Sequence, residues 1–479
     1  MASDPHRWRI LAVVATAFFM TILDVSIVNV ALPSIGEDLE FAPGNLQWVI
    51  TAYAIVFGGF LLLGGRAADL LGRRIVFMVG VALFTLASLV CGLAESEGTL
   101  IGARAVQGLG AAIISPAALS IVMTCFEEGA ERNKALGIWG ALGGSGAAVG
   151  VLAGGVLTES LGWEWIFWVN VPVGALVLAL TPLIVPESSR ETARRRYDPL
   201  GAISVTAGLT LLVYAISEAP EVGWLTARTI LLLVASGALL LSFLVIERTV
   251  AEPLMPFRIF RVRTVAGANV VGALLGAVIF ANFFLLTLYV QNVLGFSALR
   301  TGVTFVATAG TAVISAGVAQ ALTTKLGAKP VMTFGLVLLT GGMIWYAQIP
   351  VEGSYAADLL PGYLMVGVGI AFAFVPVSIA ALAGVAEREA GLASGLINTS
   401  QQIGGAIGVA IASTVFISHS TTLALEGSSP LAAQTGGYRW AFWALAFIGA
   451  AAVVAALTVI RREELAESRT TAPAAGETT

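Results

Sequence analysis

Fourteen runs of roughly twenty apolar residues follow one another along this chain, separated only by short connectors. Each run is long enough to cross a hydrocarbon core of about 30 Å as a helix, and no other open structure can satisfy its backbone there. The spans are expected near 10–31, 46–65, 75–94, 99–123, 135–157, 166–185, 199–217, 225–246, 264–290, 301–322, 330–348, 359–384, 391–416 and 438–460. Charged residues make up 11% and apolar residues 57% of the 479, with mean hydropathy +0.91. A soluble chain carries about 25% charged residues, so this is an all-α polytopic membrane protein. The first run is too long for a cleaved signal, lacks a small-residue cleavage site and leads straight into further spans. Cys91 and Cys125 fall near opposite ends of neighbouring spans, too far apart for a disulfide.

An even number of spans puts both ends on one side. If that side is cytoplasmic, every Lys and Arg lies in a cytoplasmic segment except Arg228, Arg300, Arg439 and the intramembrane Arg104. The positive-inside rule therefore sets the orientation. The basic residues are topological markers and give no sign of nucleic-acid binding. Arginine is far commoner than lysine, which suits a GC-rich bacterial genome and a multi-pass protein of the inner (plasma) membrane.

The chain also looks duplicated. "LLGRRIVF" (70–77) after span 2 resembles "KLGAKPVM" (325–332) after span 10, and "GLG" before Pro116 in span 4 resembles "GVG" before Pro376 in span 12. The expected organisation is a cytoplasmic N-terminus (1–9), a six-helix bundle (10–185), two inserted spans with basic linkers (186–263), a second six-helix bundle (264–460) and a disordered cytoplasmic tail (461–479). A transporter built this way holds its site near the midplane between the bundles.

Only two charged residues lie well inside the bilayer, Asp24 in "TILDVSIVNV" and Arg104. Each costs a few kcal/mol at the centre of a span. Both fall in the outer half at depths differing by roughly one helical turn, so they are expected to share one cavity and to be coupled directly or through water. Burial opposes ionisation of Asp24 while Arg104 promotes it, and a shifting balance between the two is what proton coupling needs. A purely structural ion pair is the plainer alternative, although such pairs stabilise poorly. On span 4, Arg104, Gly108, Ala111 and Ser115 share one face. Asn29 points elsewhere and reads as an interhelical hydrogen bonder.

These motifs are similar, in order and over nearly the whole chain, to the fourteen-span drug:proton antiporters of the major facilitator superfamily. The resembling segments are "LDVSIVNVALP" (23–33), "GRAADLLGRR" (65–74), "LIGARAVQGLGAA" (100–112), "WEWIFWVNVPVG" (163–174), "LYVQNVLGFSALRTG" (288–302) and "ASGLINTSQQIGGAIGVAI" (393–411). The resemblance implies a major facilitator fold and proton coupling by Asp24 and Arg104. It also implies a cytoplasmic gating loop of Gly65, Asp69, Gly72, Arg73 and Arg74, with Arg132 as one possible partner of Asp69. The chain departs from the family in having Gly150-Val151 where span 5 usually has Gly-Pro, and Gln401 where span 13 often has Arg. Glu164 likewise replaces a frequent Arg.

The expected function is proton-coupled multidrug efflux of hydrophobic or amphipathic, cationic or neutral compounds by alternating access. The alternative is export of an endogenous lipid, siderophore or antibiotic by the same machinery. Cavity candidates are Gln107, Asn282, Tyr289, Asn398, Gln401 and Gln402, each also readable as a helix–helix hydrogen bonder. Gly108, Gly143, Gly150 and Gly154 read as packing glycines. With only His6 and His419, no phosphate-binding Gly-x-x-x-x-Gly-Lys-Ser/Thr loop and no metal-ligand cluster, neither an enzyme nor ATP-driven transport is indicated. No cofactor is expected, and the chain is expected to act as a monomer on protons and a small molecule within the bilayer. A non-transporting sensor of the same fold would not need the intramembrane acid and gating loop that this chain keeps.

Overall fold

Apolar runs this long leave the backbone only itself to bond to, and every regular element among the described residues is helical. The computed structural model describes residues 6–42, 44–126, 130–187, 198–250, 253, 255, 257–383, 385 and 390–460. The helices are α1 (Arg7–Asp38), α2 (Trp48–Leu71), α3 (Arg73–Gly92), α4 (Glu97–Cys125), α5 (Ala130–Leu161), α6 (Trp165–Trp168), α7 (Asn170–Ile184), α8 (Pro199–Val222) and α9 (Ala227–Thr249). They continue with α10 (Arg263–Asn292), α11 (Ala298–Leu326), α12 (Ala328–Tyr346), α13 (Leu360–Leu382), α14 (Ala390–Leu425) and α15 (Pro430–Val459). A 3₁₀ turn (Phe257–Arg261) precedes α10 and a π turn (Tyr355–Leu359) leads into α13. Among the described residues, thirteen segments, with α6 and α7 taken together, are long and apolar enough to span a membrane, and α5 makes the fourteenth. The expected tail at 461–479 lies outside the described residues.

Two departures from the expected spans have local causes. The sixth is divided because Pro172 has no N–H to give the carbonyl of Trp168, although Val169 between α6 and α7 keeps helical dihedrals (φ −58°, ψ −28°). The last two helices run beyond their spans as a helical hairpin. Gly427 turns the chain at φ +89°, Ser429 caps α15 through the Ala432 N–H at 3.4 Å, and Pro430 occupies its first turn.

The duplication is visible in the packing. In the first half α4 lies between α2 and α3, and α5 packs on α1; in the second, α13 lies between α11 and α12, and α14 packs on α10. Gly108 faces the backbone of Tyr53 on α2 and Gly110 faces Phe84 on α3; likewise Gly367 faces Thr308 on α11 and Gly369 faces Leu339 on α12. Small residues at these points let backbones approach where apolar burial gives no drive. Each half also ends alike. Gly72 (φ +102°) starts α3 and Arg74 donates to the Val185 carbonyl at 3.2 Å; Gly327 (φ +93°) starts α12 and Lys329 donates to Leu457 and Ile460 carbonyls at 2.6 and 2.8 Å. A basic side chain thus completes the free carbonyls at the end of each half's last helix.

Between the halves, α2 packs on α14 and α5 on α11. On the face opposite the termini, α1 also meets α10: Gln291 Nε2 donates to the Val30 carbonyl at 2.8 Å, and Ile27, Val30 and Ala31 share a core with Ala281, Leu285 and Leu288. That face is closed. Of the inserted pair, α8 packs on both α2 and α14, while α9 rests on α8 and is otherwise largely exposed to its surroundings.

Candidate proton-coupling site

α4 begins at Ser96, whose hydroxyl accepts the Thr99 N–H, with Glu97 in the first turn where the helix dipole favours an acid. That start places Arg104 two turns into the helix, against α1 and α2. The Asp24 and Arg104 side chains meet directly, Nη1 to Oδ2 at 2.6 Å, and are 0% and 1% exposed. Direct contact, not contact through water, is therefore what the structure contains. The pair does not open to a solvent-filled cavity; it lies in the interior of its own six-helix half.

Four further helices close the shell. Arg104 Nε donates to the Val49 carbonyl of α2 at 2.8 Å, and its guanidinium lies 4.4 Å from the Tyr53 ring centre and 5.7 Å from that of Phe167. Gln107, one turn beyond Arg104, bridges the rest. Its oxygen accepts from Arg104 at 2.5 Å and from the Cys91 thiol at 3.7 Å, and its nitrogen donates to Asp24 Oδ1 and to Ser88 Oγ, both at 2.8 Å. The reversed amide would set its donors against the guanidinium and its oxygen against the carboxylate, so this orientation is fixed by charge. Asn170, the first residue of α7, adds a third donor to Asp24 at 3.2 Å. All three partners of the carboxylate are donors, which is the arrangement of an ionised acid.

The other sequence candidates separate into groups. Gln107 is in the charge network, completely buried, and not on a cavity wall. Tyr289 reaches the Pro350 carbonyl at 2.6 Å and stacks edge-on against Tyr438, near the closed face. Asn398 is exposed and its nitrogen bonds the Ser394 carbonyl within α14. Asn282, Gln401 and Gln402 do not join the charge network; each keeps a buried polar atom without a hydrogen bond, and Gln402 and Thr399 lie where α14 meets Gly58 of α2. Asn29 was expected to bond a neighbouring helix, but its nitrogen is taken by the Val25 carbonyl one turn back. In the loop, Gly65 lies beside Pro116, and Arg74 also pairs with Glu187 at 3.1 Å. Arg73 starts α3. The side chains of Asp69 and Arg132, and the surroundings of Gly143, lie outside the described residues. Gly150 and Gly154 pack against α1 at Ser26 and Ile27.

Sequence reasoning missed Tyr53, Ser88, Cys91, Phe167 and Asn170 as members of the shell. Asn170 carried a signal, an amide within an apolar run two residues before a proline. The others had none, because nothing along the chain distinguishes a Ser or Tyr facing a charge from one facing lipid.

Fourteen spans, two matching halves and a charged cluster inside one of them describe a secondary transporter. The Major Facilitator Superfamily profile matches residues 14–409, and the chain belongs to that superfamily. It is 41% identical over 473 residues to the puromycin resistance protein Pur8 of Streptomyces alboniger, covering 98% of this chain and 93% of that one. It is 38% identical to the cephamycin export protein CmcT of Amycolatopsis lactamdurans, with 97% and 93% covered, and 33% identical to the lincomycin resistance protein of Streptomyces lincolnensis, with 86% and 84% covered. In fold it resembles a bacterial homologue of the lysosomal transporter Spinster in an inward-facing, unoccupied conformation (TM-score 0.69, 16% identity, 98% and 99% covered).

Proposed function

We propose that the chain is a proton-coupled exporter of antibiotic-like amphiphiles, working from the cytoplasm or inner leaflet of a bacterial plasma membrane, with both termini cytoplasmic. The relatives' names support the substrate class, and the observation that carries the coupling is the three-donor shell around buried Asp24. Protonation turns one carboxyl oxygen from acceptor to donor. Neither Arg104, Gln107 nor Asn170 can accept from it as they stand, so the network has to reorganise when a proton arrives. Arg104 stays charged throughout and loses its counter-ion at that moment, which frees it to pull on Val49 and Tyr53 of α2.

With the termini face cytoplasmic, the closed opposite face and the three-donor shell of Asp24 fit a state that is shut to the outside and has released its proton. Substrate then enters between the halves, where Thr399, Gln401, Gln402 and Asn282 offer uncommitted polar atoms. One charge crossing 100 mV supplies about 2.3 kcal/mol and each pH unit about 1.4 kcal/mol, enough for tenfold or larger gradients. The reading is tested in proteoliposomes with puromycin as probe. Accumulation against its gradient, driven by an opposing proton gradient and abolished by a proton ionophore, is expected. Accumulation that survives the ionophore contradicts it.

A further inference from the structure

Tyr53 is 2% exposed, its ring stacks on Arg104, and its hydroxyl is buried with no hydrogen-bond partner. A buried hydroxyl left unpaired beside an ion pair asks for a reason. Other oxygens around Asp24 already hold hydrogen bonds. The Gln107 oxygen holds Arg104 and Cys91, and the Val49 carbonyl holds Arg104. Ser88 accepts from Gln107 while donating to the Phe84 carbonyl. A protonated Asp24 needs an acceptor, and within this shell the Tyr53 oxygen is a buried one that makes no hydrogen bond of its own. The same helix leads to the other half. Phe57 packs on Tyr53 with ring centres 5.8 Å apart, and the next residue, Gly58, meets Gln402 and Ile403 of α14.

We propose that the Tyr53 hydroxyl is the partner that receives protonated Asp24, so that α2 carries the proton's arrival to its seam with α14. This rests on Asp24 being the coupling acid. Among the described residues, the titratable and charged groups facing the site are Asp24 on α1, Tyr53 itself on α2, Cys91 on α3 and Arg104 on α4, with Phe167 and Asn170 from α6 and α7.

Tyr53→Phe keeps the ring and its stacking and deletes only the oxygen. The carbonyl stretch of protonated Asp24, identified by its loss in Asp24→Asn, is titrated by infrared spectroscopy on substrate-free protein. In Tyr53→Phe the band should rise in frequency and its midpoint should move about one pH unit to acid, a tenfold weaker hold on the proton. Puromycin accumulation driven by a proton gradient should fall about tenfold, a clearly larger loss than in puromycin exchange at equal pH. An unchanged band and midpoint, or equal loss in exchange and accumulation, overturns the proposal. If no Asp24-dependent band titrates in the wild type, the coupling reading itself fails.

Discussion

Arg104 holds four helices together through one side chain: Asp24 of α1, the Val49 carbonyl and Tyr53 ring of α2, Gln107 of its own α4, and the Phe167 ring of α6. A lysine carries the charge but cannot present a planar fork to three acceptors while stacking on a ring. Arg104→Lys should therefore cut gradient-driven transport about 10- to 100-fold, the worth of one or two charged hydrogen bonds, in vesicles matched for protein content. Wild-type transport in that variant would mean that charge alone suffices. The sequence made the acid and the arginine legible because charge in a span is costly and therefore conspicuous. It could not show that Gln107 lies between them, since a glutamine on a span suits a cavity wall as well as a charge network. Only the packing of α4 against α1 and α3 decides.

Among the elements, the helices and their number were readable from hydropathy, because lipid leaves the backbone one solution. Their ends were not. α14 and α15 run past the apolar core since caps and turn glycines, rather than hydropathy, stop a helix once it reaches water. The motif "GLG" in α4 was read as packing glycine, and its geometry gives a sharp test. A Cβ at Gly108 would lie 2.5 Å from the Tyr53 carbonyl oxygen, whereas one at Gly102 on the same helix meets nothing within 4 Å. Gly108→Val should force α2 and α4 apart at a cost of about 1–3 kcal/mol or more, seen as a fall of several degrees in the melting temperature in detergent. Gly102→Ala should leave it level or slightly raised. Equal effects at both positions would contradict this packing.

For the molecule as a whole, alternation requires the closed face to part. There, Glu159 at the end of α5 accepts the Leu299 N–H at the start of α11 at 2.9 Å, a carboxylate of one half capping a helix of the other. Glu159→Ala should shift the population toward the state open on that face. A cysteine placed at Leu294 should then react severalfold faster with a maleimide added from that side; an unchanged rate would show that Glu159 does not hold the halves together. What drives the parting is assigned to a single carboxyl group that the second half does not duplicate, for Tyr363 occupies the place in α13 that Arg104 holds in α4 and bonds Thr304 instead. The most direct measurement is proton-gradient-driven puromycin accumulation in proteoliposomes carrying Asp24→Asn, beside wild type. The variant should exchange puromycin at equal pH yet accumulate none under a gradient; uphill accumulation by Asp24→Asn would contradict the account.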